Sequence, residues 1–238
     1  MMTFRKISAE STGRLITAYF TQELSDPEHD FRTQPGKVSD ADGARLTSYY
    51  TGRDGRASWR PDMKPEIAAV LGIDPTIPPK NGQLNRLFEA KRADDGEDWS
   101  KNARKISAYD LTLAPHKSVT LAAEFAPTEA ERAAIWHAID RANDATMLYV
   151  AREIGFARRG HGGEDGADPG EVAWVSFRHD TARPTVEARD AATGQTYLID
   201  TPAGGDPHAH IHNALFNVVV TEEGHVGSLD TKRLRSRV

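Results

Sequence analysis

The sequence predicts an α+β fold, an antiparallel β-sheet flanked by helices. Its helical and strand-like segments fall in separate blocks, whereas a parallel sheet would need alternating βαβ units. A long helical pattern opens at Thr128, and from Val172 onward the chain reads as strands punctuated by turn residues. Of 238 residues, 38% are hydrophobic and 27% are charged. That is too apolar for a disordered chain and enough to build a sizeable core. No internal repeat is present.

Taken in order, Ser11-Thr12 followed by Leu15, Ile16, Tyr19 and Phe20 reads as a capped amphipathic helix closing near Asp26-Pro27. Residues 25–48 are polar and rich in Asp, Gly and Ser, and are expected to form a mobile loop. Tyr49-Tyr50 and Ala57-Ser58-Trp59 flank a Thr-Gly-Arg-Asp-Gly turn and suit a short hairpin. A small helix is expected over 64–71, stopped by Gly72, and another from Asn81. Residues 92–102 read as a solvated polar linker. Tyr109-Asp110-Leu111-Thr112-Leu113 has strand character.

Thr128-Glu129-Ala130-Glu131 is a capping box, and its helix carries Ile135, Ile139, Met147 and Val150 towards Gly155. Residues 159–170, rich in Gly and Asp, are expected to be a second mobile loop. Strands follow over Val172–His179, Gln195–Asp200, His208–Val220 and Val226–Leu229, with Thr193-Gly194 and Glu223-Gly224 as turns.

Composition removes several classes of function. There is no cysteine, so disulfides, thiolate nucleophiles and iron–sulfur clusters are excluded, and any metal must be held by His, Asp or Glu. No apolar run approaches the ~20 residues of a membrane helix, and Met1–Lys6 lacks the apolar stretch of a signal peptide. No membrane insertion and a cytoplasmic location are therefore expected. The formal net charge is −5, so any nucleic-acid binding must rest on local basic patches.

Asp206-Pro207-His208-Ala209-His210-Ile211-His212-Asn213 carries the most chemistry. Side chains alternate along a strand, so His208, His210 and His212 fall on one face. Neutral imidazoles two residues apart can converge on one cation: zinc, manganese, magnesium, nickel or copper in a chain without thiolates. A solvated polar strand face is the alternative. His179, in Phe177-Arg178-His179-Asp180, reaches the same site if the two strands are neighbours. His29, His116, His137, His161 and His225 have no such pattern. His-Ile-His would also suit a cupin-like or hydrolytic small-molecule metalloenzyme, but the long helix from Thr128 and the lack of repeated units argue against both.

His210-Ile211-His212, preceded by Asp206-Pro207 and by His179-Asp180-Thr181-Ala182-Arg183, resembles the metal site of conjugative relaxases, the HUH endonucleases of the TrwC/TraI-like family. Three further segments agree in order. Tyr109–Val119 resembles that family's DLTFSAPKSVS stretch, Gly13–Phe20 its segment bearing the first tyrosine pair, and Tyr49-Tyr50 with Trp59 its second pair and downstream tryptophan. The resemblance runs from the N-terminus to about Leu229.

It implies an HUH relaxase palm over residues 1–238, and an enzyme that nicks and rejoins DNA for conjugative plasmid transfer. Tyr19 would be the nucleophile, forming a 5′-phosphotyrosine intermediate. Asp110 would act as a base or an orienting carboxylate. His179, His210 and His212 would hold a divalent ion, magnesium or manganese, with zinc, nickel and copper as alternatives. His208 falls where relatives carry a non-ligand, and is expected beside the site. Tyr49 or Tyr50 would serve a second transesterification. The implied partners are single-stranded or hairpin DNA at a transfer origin and conjugation accessory proteins. Because relatives continue with more relaxase sequence and usually a helicase domain, the chain is expected to be truncated at its C-terminal end.

The chain also departs from the family pattern. Phe20 replaces the second tyrosine of the first pair, the gap from Tyr19 to Tyr49 is longer, and so is the segment between His179 and Asp206. A catalytically weak module that only binds an origin hairpin is the rival reading. Lys101, Arg104, Lys105, Lys117, Arg152, Arg158 and Arg159 are candidate phosphate contacts, and Trp59 and Trp99 candidate stacking platforms for unpaired bases.

Overall fold

The structure is a computed structural model that describes residues 2–9, 13, 16, 17, 20, 57–100, 104–160, 164–182, 185–189, 196–200, 205–230 and 233. The expected loop 25–48 and the Tyr49-Tyr50 arm of the expected hairpin lie outside these residues. The described elements are strands β1 (Met2–Ser8) and β2 (Ala57–Trp59), helices α1 (Pro65–Leu71) and α2 (Asn81–Phe88), strand β3 (Ile106–Leu113), and helices α3 (Lys117–Glu124) and α4 (Glu129–Ile154). Eight strands follow: β4 (Phe156–Arg158), β5 (Ala167–Glu171), β6 (Trp174–Thr181), β7 (Thr185–Arg189), β8 (Thr196–Asp200), β9 (Pro207–Phe216), β10 (Val219–Thr221) and β11 (Val226–Gly227).

Five strands form one antiparallel sheet in the order β1-β3-β9-β6-β2, and four more form a sheet ordered β11-β10-β5-β4. The pair β7–β8 is a separate two-stranded ribbon between the strands that carry His179 and His210. The expected α+β class is what the structure shows. The main sheet is open with helices packed against it, unlike the barrel that a cupin-like reading needs.

The central strand β9 is covered on both faces, and its period of two divides the core. Ala209 and Ile211 pack with Trp136, Ile139 and Ala123, and Leu215 packs with Met147, Val150 and Trp174, so α3 and α4 cover one face. Ala214 and Phe216 belong to the other core, with Phe20, Ile67, Leu71, Leu84, Leu87 and Phe88. Each such side chain contributes about 1.5–3 kcal/mol on full burial. In the N-terminal segment Gly13, Ile16, Thr17 and Phe20 are helical, and this i, i+3, i+4, i+7 set is the face turned inward.

Helix α1 starts at Pro65, where the missing N–H is harmless, and stops at Gly72 in the left-handed region (φ 65°). A Cβ there would also lie 2.1 Å from the Asp94 carboxylate, which would have to shift, so glycine is the favoured residue. Helix α4 begins at the expected N-cap, though the box closes differently: Thr128 Oγ1 accepts from the Glu131 N–H (3.2 Å), and the Glu131 carboxylate accepts from the Thr128 hydroxyl (2.8 Å).

Four local expectations need correction. Residues 92–100 are a folded turn: Arg92 binds Asp94, Asp95 and the Ala69 carbonyl, while Ala93 and Trp99 are buried. Polar composition misled because the charges pair with each other. Within 159–170, Ala167–Glu171 is strand β5, held by backbone pairing to β4 and β10 although Asp, Pro and Gly favour turns. The described partner of Ala57–Trp59 is β6, which makes β2 an edge of the main sheet. The strand expected over His208–Val220 is two strands, β9 and β10.

Thr128→Ala removes the N-cap of a 26-residue helix. It should cost about 1 kcal/mol and lower Tm by roughly 2–4 °C in thermal unfolding. An unchanged Tm would show that the cap is not what ends α4.

Candidate metal centre

Three strands deliver the site. In the register of the main sheet His179 lies directly across from His210, and His212 sits between Phe177 and Thr112. Asp110 lies two residues before Thr112 on β3, on the same face by strand alternation. The imidazole rings of His179, His210 and His212 form a near-equilateral triangle with centroid separations of 5.0, 5.0 and 5.1 Å. Each can offer a ligand atom within 4.8 Å of the others, as a single metal ion requires. All three are nearly buried, His179 at 4% exposure, His212 at 7% and His210 at 9%.

Hydrogen bonds fix how these rings point. His212 Nδ1–H donates to the Asp110 carboxylate (2.9 and 3.0 Å) and lies 3.0 Å from Thr112 Oγ1, so Nε2 is the nitrogen placed to ligate. His210 Nδ1–H donates to the His208 carbonyl (2.7 Å), with the same result. Committing one ring nitrogen to a carboxylate or carbonyl is how proteins set the tautomer of a metal-binding histidine. Burial pushes the His210 pKa down to about 4, with the neighbouring imidazoles His212 and His208 adding to the fall. The ring is therefore neutral at physiological pH, the form a cation needs. The donor set fits a divalent ion: three imidazoles whose ligand atoms converge, with the Asp110 carboxylate holding one of them.

His208 stands apart from this group. Its ring is 5.0 Å from that of His210, but it is not among the three residues whose ligand atoms come together. Alternation along β9 puts all three histidines on one face, yet Cα atoms four residues apart on a strand are ~13 Å apart. Bonds of about 2.1 Å to one ion cannot bridge that span readily. His179, from the neighbouring strand, takes the third place.

The cluster is also fastened to the N-terminal helix. His179 Nε2–H donates to the Phe20 carbonyl (2.7 Å), and the Phe20 ring meets His212 edge-on at 5.5 Å and stacks on Phe177 at 4.8 Å. Tyr19, one residue earlier, lies outside the described residues, as do Tyr49, Tyr50 and Lys101.

The remaining candidates separate into two groups. Lys117, at the start of α3, binds the Asp206 carboxylate and the Pro207 carbonyl, so it braces the first residues of β9. Arg104, Arg158 and Arg159 line a cleft of about 1710 Å³ on the four-stranded sheet, where Glu171 of β5 and Val220 of β10 also contribute. Burial lowers the Arg104 pKa, and the charge of Arg158 nearby adds to the fall. Lys105 and Arg152 are exposed. The lining of that cleft includes none of His179, His210 and His212.

Trp59 and Trp99, expected as stacking platforms, are largely buried. Trp59 is 8% exposed and donates to the Ile77 carbonyl (2.9 Å), and Trp99 is 5% exposed with its ring edge-on to Phe216. Both belong to one hydrophobic core, and Trp99 also lines the cleft beside Arg104 and Arg158. Thr112 escaped the sequence reading, although its place two residues after Asp110 on one strand face is a usable signal.

The chain matches the TrwC relaxase family over residues 13–238. Its fold is similar to solved structures of the conjugative relaxase TrwC. One is a copper-bound complex with oriT DNA, with TM-score 0.59 and 18% identity over 99% of this chain and 64% of that one. A metal-bound complex with oriT DNA has TM-score 0.58 and 18% identity over 99% and 63%. A complex with a 27-mer DNA comprising the recognition hairpin and the cleavage site has TM-score 0.60 and 16% identity over 99% and 62%. The chain thus spans less than two thirds of the length of these relatives. No curated protein matches it. Among the described residues no helix is long and apolar enough to cross a membrane.

Replacing His210 or His179 by Ala should weaken Mn²⁺ binding at least 10-fold in calorimetry, and Asp110→Ala should do so by about 10–100-fold through the orientation of His212. His208→Ala should have a much smaller effect. Equal losses in His208→Ala and His210→Ala would return the site to three histidines of one strand.

Proposed function

The chain belongs to the TrwC relaxase family, and on that premise we propose that it nicks and rejoins one DNA strand at a transfer origin, through a 5′-phosphotyrosine intermediate. Tyr19 is the proposed nucleophile. Its phenol oxygen attacks the scissile phosphorus, the new O–P bond forms as the bond to the 3′-oxygen breaks, and the 3′-oxygen leaves as a hydroxyl after taking a proton. The phosphate stays on the 5′ end. Reversal by a 3′-hydroxyl rejoins the strand without an external energy source, because one phosphodiester replaces another.

A phenol with a pKa near 10 is a poor nucleophile at neutral pH, and an anionic phosphodiester resists attack. A divalent ion held by His179, His210 and His212 would supply positive charge to offset that of the phosphodiester. Magnesium and manganese are the ions we propose, with zinc, nickel and copper as alternatives. Neutral imidazoles leave the charge of such an ion undiminished. Asp110 acts in this scheme through His212, whose ring it holds, and its two hydrogen bonds there support an orienting role.

One observation carries the assignment of Tyr19. Phe20, its chain neighbour, gives its carbonyl to His179 and its ring to His212, and consecutive Cα atoms are only ~3.8 Å apart. The likeness to TrwC complexes with oriT DNA supports single-stranded or hairpin DNA as the substrate. Tyr49 or Tyr50 is proposed for a second transesterification, and Lys101, Lys105 and Arg152 for phosphate contacts. Conjugation accessory proteins and a cytoplasmic place of action go with this reading.

Tyr19→Phe deletes one oxygen. With an origin oligonucleotide and Mn²⁺ it should form no covalent DNA adduct on a denaturing gel, while DNA and metal affinity stay within about twofold of the parent. Adduct that persists in Tyr19→Phe but disappears when Tyr49 and Tyr50 are both replaced by Phe would move the nucleophile to the second pair.

A further inference from the structure

Behind the metal-facing row of the sheet lies a second row that is polar and fully enclosed. Asn213, directly after His212, is 0% exposed, Asn143 of α4 is 4% and Ser176 of β6 is 7%. Register places Ser176, Asn213 and Leu111 side by side across β6, β9 and β3. Asn213 Oδ1 accepts from the Ser176 hydroxyl (2.7 Å) and from Asn143 Nδ2 (3.1 Å). Asn213 Nδ2 donates to Asn143 Oδ1 (2.8 Å) and to the Leu111 carbonyl (3.1 Å). Both donors and both acceptor positions of this one amide are thus filled. The partners come from β3, which carries Asp110, from β6, which carries His179, and from α4.

Such a network is not needed to bury β9. The remaining core-facing side chains are apolar on both faces, Ala209, Ile211 and Leu215 on one and Ala214 and Phe216, beyond the histidines, on the other. A slip of two residues keeps every side chain on its own face, so apolar burial discriminates poorly against it. Such a slip would carry His210 and His212 about 6.6 Å along the sheet from their places opposite His179 and beside Asp110. It would also take the Asn213 amide away from Ser176 and Asn143 and leave its buried donors and acceptors unmet. A single buried polar residue is known to fix register in this way in coiled coils.

We infer that Asn213, with Asn143 and Ser176, is a positioning device for the metal centre: it selects the one register of β9 in which His210 and His212 meet His179. The inference rests on the metal-site reading above. It assigns to these three residues a role in ligand geometry that ordinary core polarity would not have.

The test is an apolar replacement of the whole network, Asn143→Leu, Ser176→Ala and Asn213→Leu together, in the full chain. Exchanging all partners for side chains of similar shape can be nearly neutral for stability, so the variant is expected to fold. Its Mn²⁺ affinity should fall about 10–100-fold, and the metal-free protein should show more than one set of histidine ring resonances by NMR. Asn217→Leu is the control, since Asn217 is equally buried and bonded to Ile106 and Leu229 at the far end of β9. It should lower stability and leave the Mn²⁺ affinity unchanged. A folded triple variant with parental affinity and one set of resonances would overturn the inference, and so would an equal loss of affinity in Asn217→Leu. If the triple variant does not fold, Ser176→Ala is read instead: a several-fold weaker affinity supports the inference and an unchanged one overturns it. If the parent protein itself binds no Mn²⁺, the metal reading fails, while the histidine resonances still decide the register question.

Discussion

Strand β9 occupies the middle of the main sheet with both faces covered, so its alternation governs what its neighbours can do. One face sends Ile211 and Leu215 into the cores beneath α3 and α4. The other presents His210 and His212 to His179, Asp110 and the Phe20 carbonyl. A candidate metal centre and two hydrophobic cores thus share one backbone segment. Its position is specified by antiparallel pairing with β3 on one side and β6 on the other, and the chemistry of the site follows from which residues that pairing brings into line.

The imidazole cluster is buried but not apolar in its surroundings. Asp110 holds His212, the His208 backbone holds His210, and the Phe20 backbone holds His179. Each ring therefore has a fixed direction before any ion arrives, which reduces the reorganisation that binding requires. The Phe20 contact has a further consequence. It ties the residue that follows Tyr19 in the chain to His179, so the proposed nucleophile and the proposed metal centre are linked through one peptide carbonyl. Phenylalanine at position 20, where the family pattern has a second tyrosine, gives that contact an apolar ring that closes the core against Phe88 and Phe177.

Much of this was legible in residue order. The α+β class, helix α4 with its capping box, the stop of α1 at Gly72 and the strand of alternating histidines each have a strong local signal. Their local preference and their tertiary place agree. From its residues alone His179 could be nominated only if two strands were neighbours, and the family resemblance had to supply the rest, because pairing across long sequence separations has no local trace. The same reason hid the Asn143–Asn213–Ser176 network, whose members are 70 and 37 residues apart. Strand β5 was missed because Asp168, Pro169 and Gly170 carry turn preferences that backbone pairing overrides. Trp59 and Trp99 were read as base-stacking candidates, since composition does not reveal which face of an aromatic ring the core will claim.

Crystals grown or soaked with Mn²⁺ and measured at the manganese absorption edge test the central claim most directly. The account predicts one anomalous peak bonded to a ring nitrogen of His179, His210 and His212 at about 2.1–2.3 Å, with Asp110 on His212 and outside bonding distance of the ion. A peak ligated by His208, by Asp110 directly, or by fewer than three of the named histidines would contradict it.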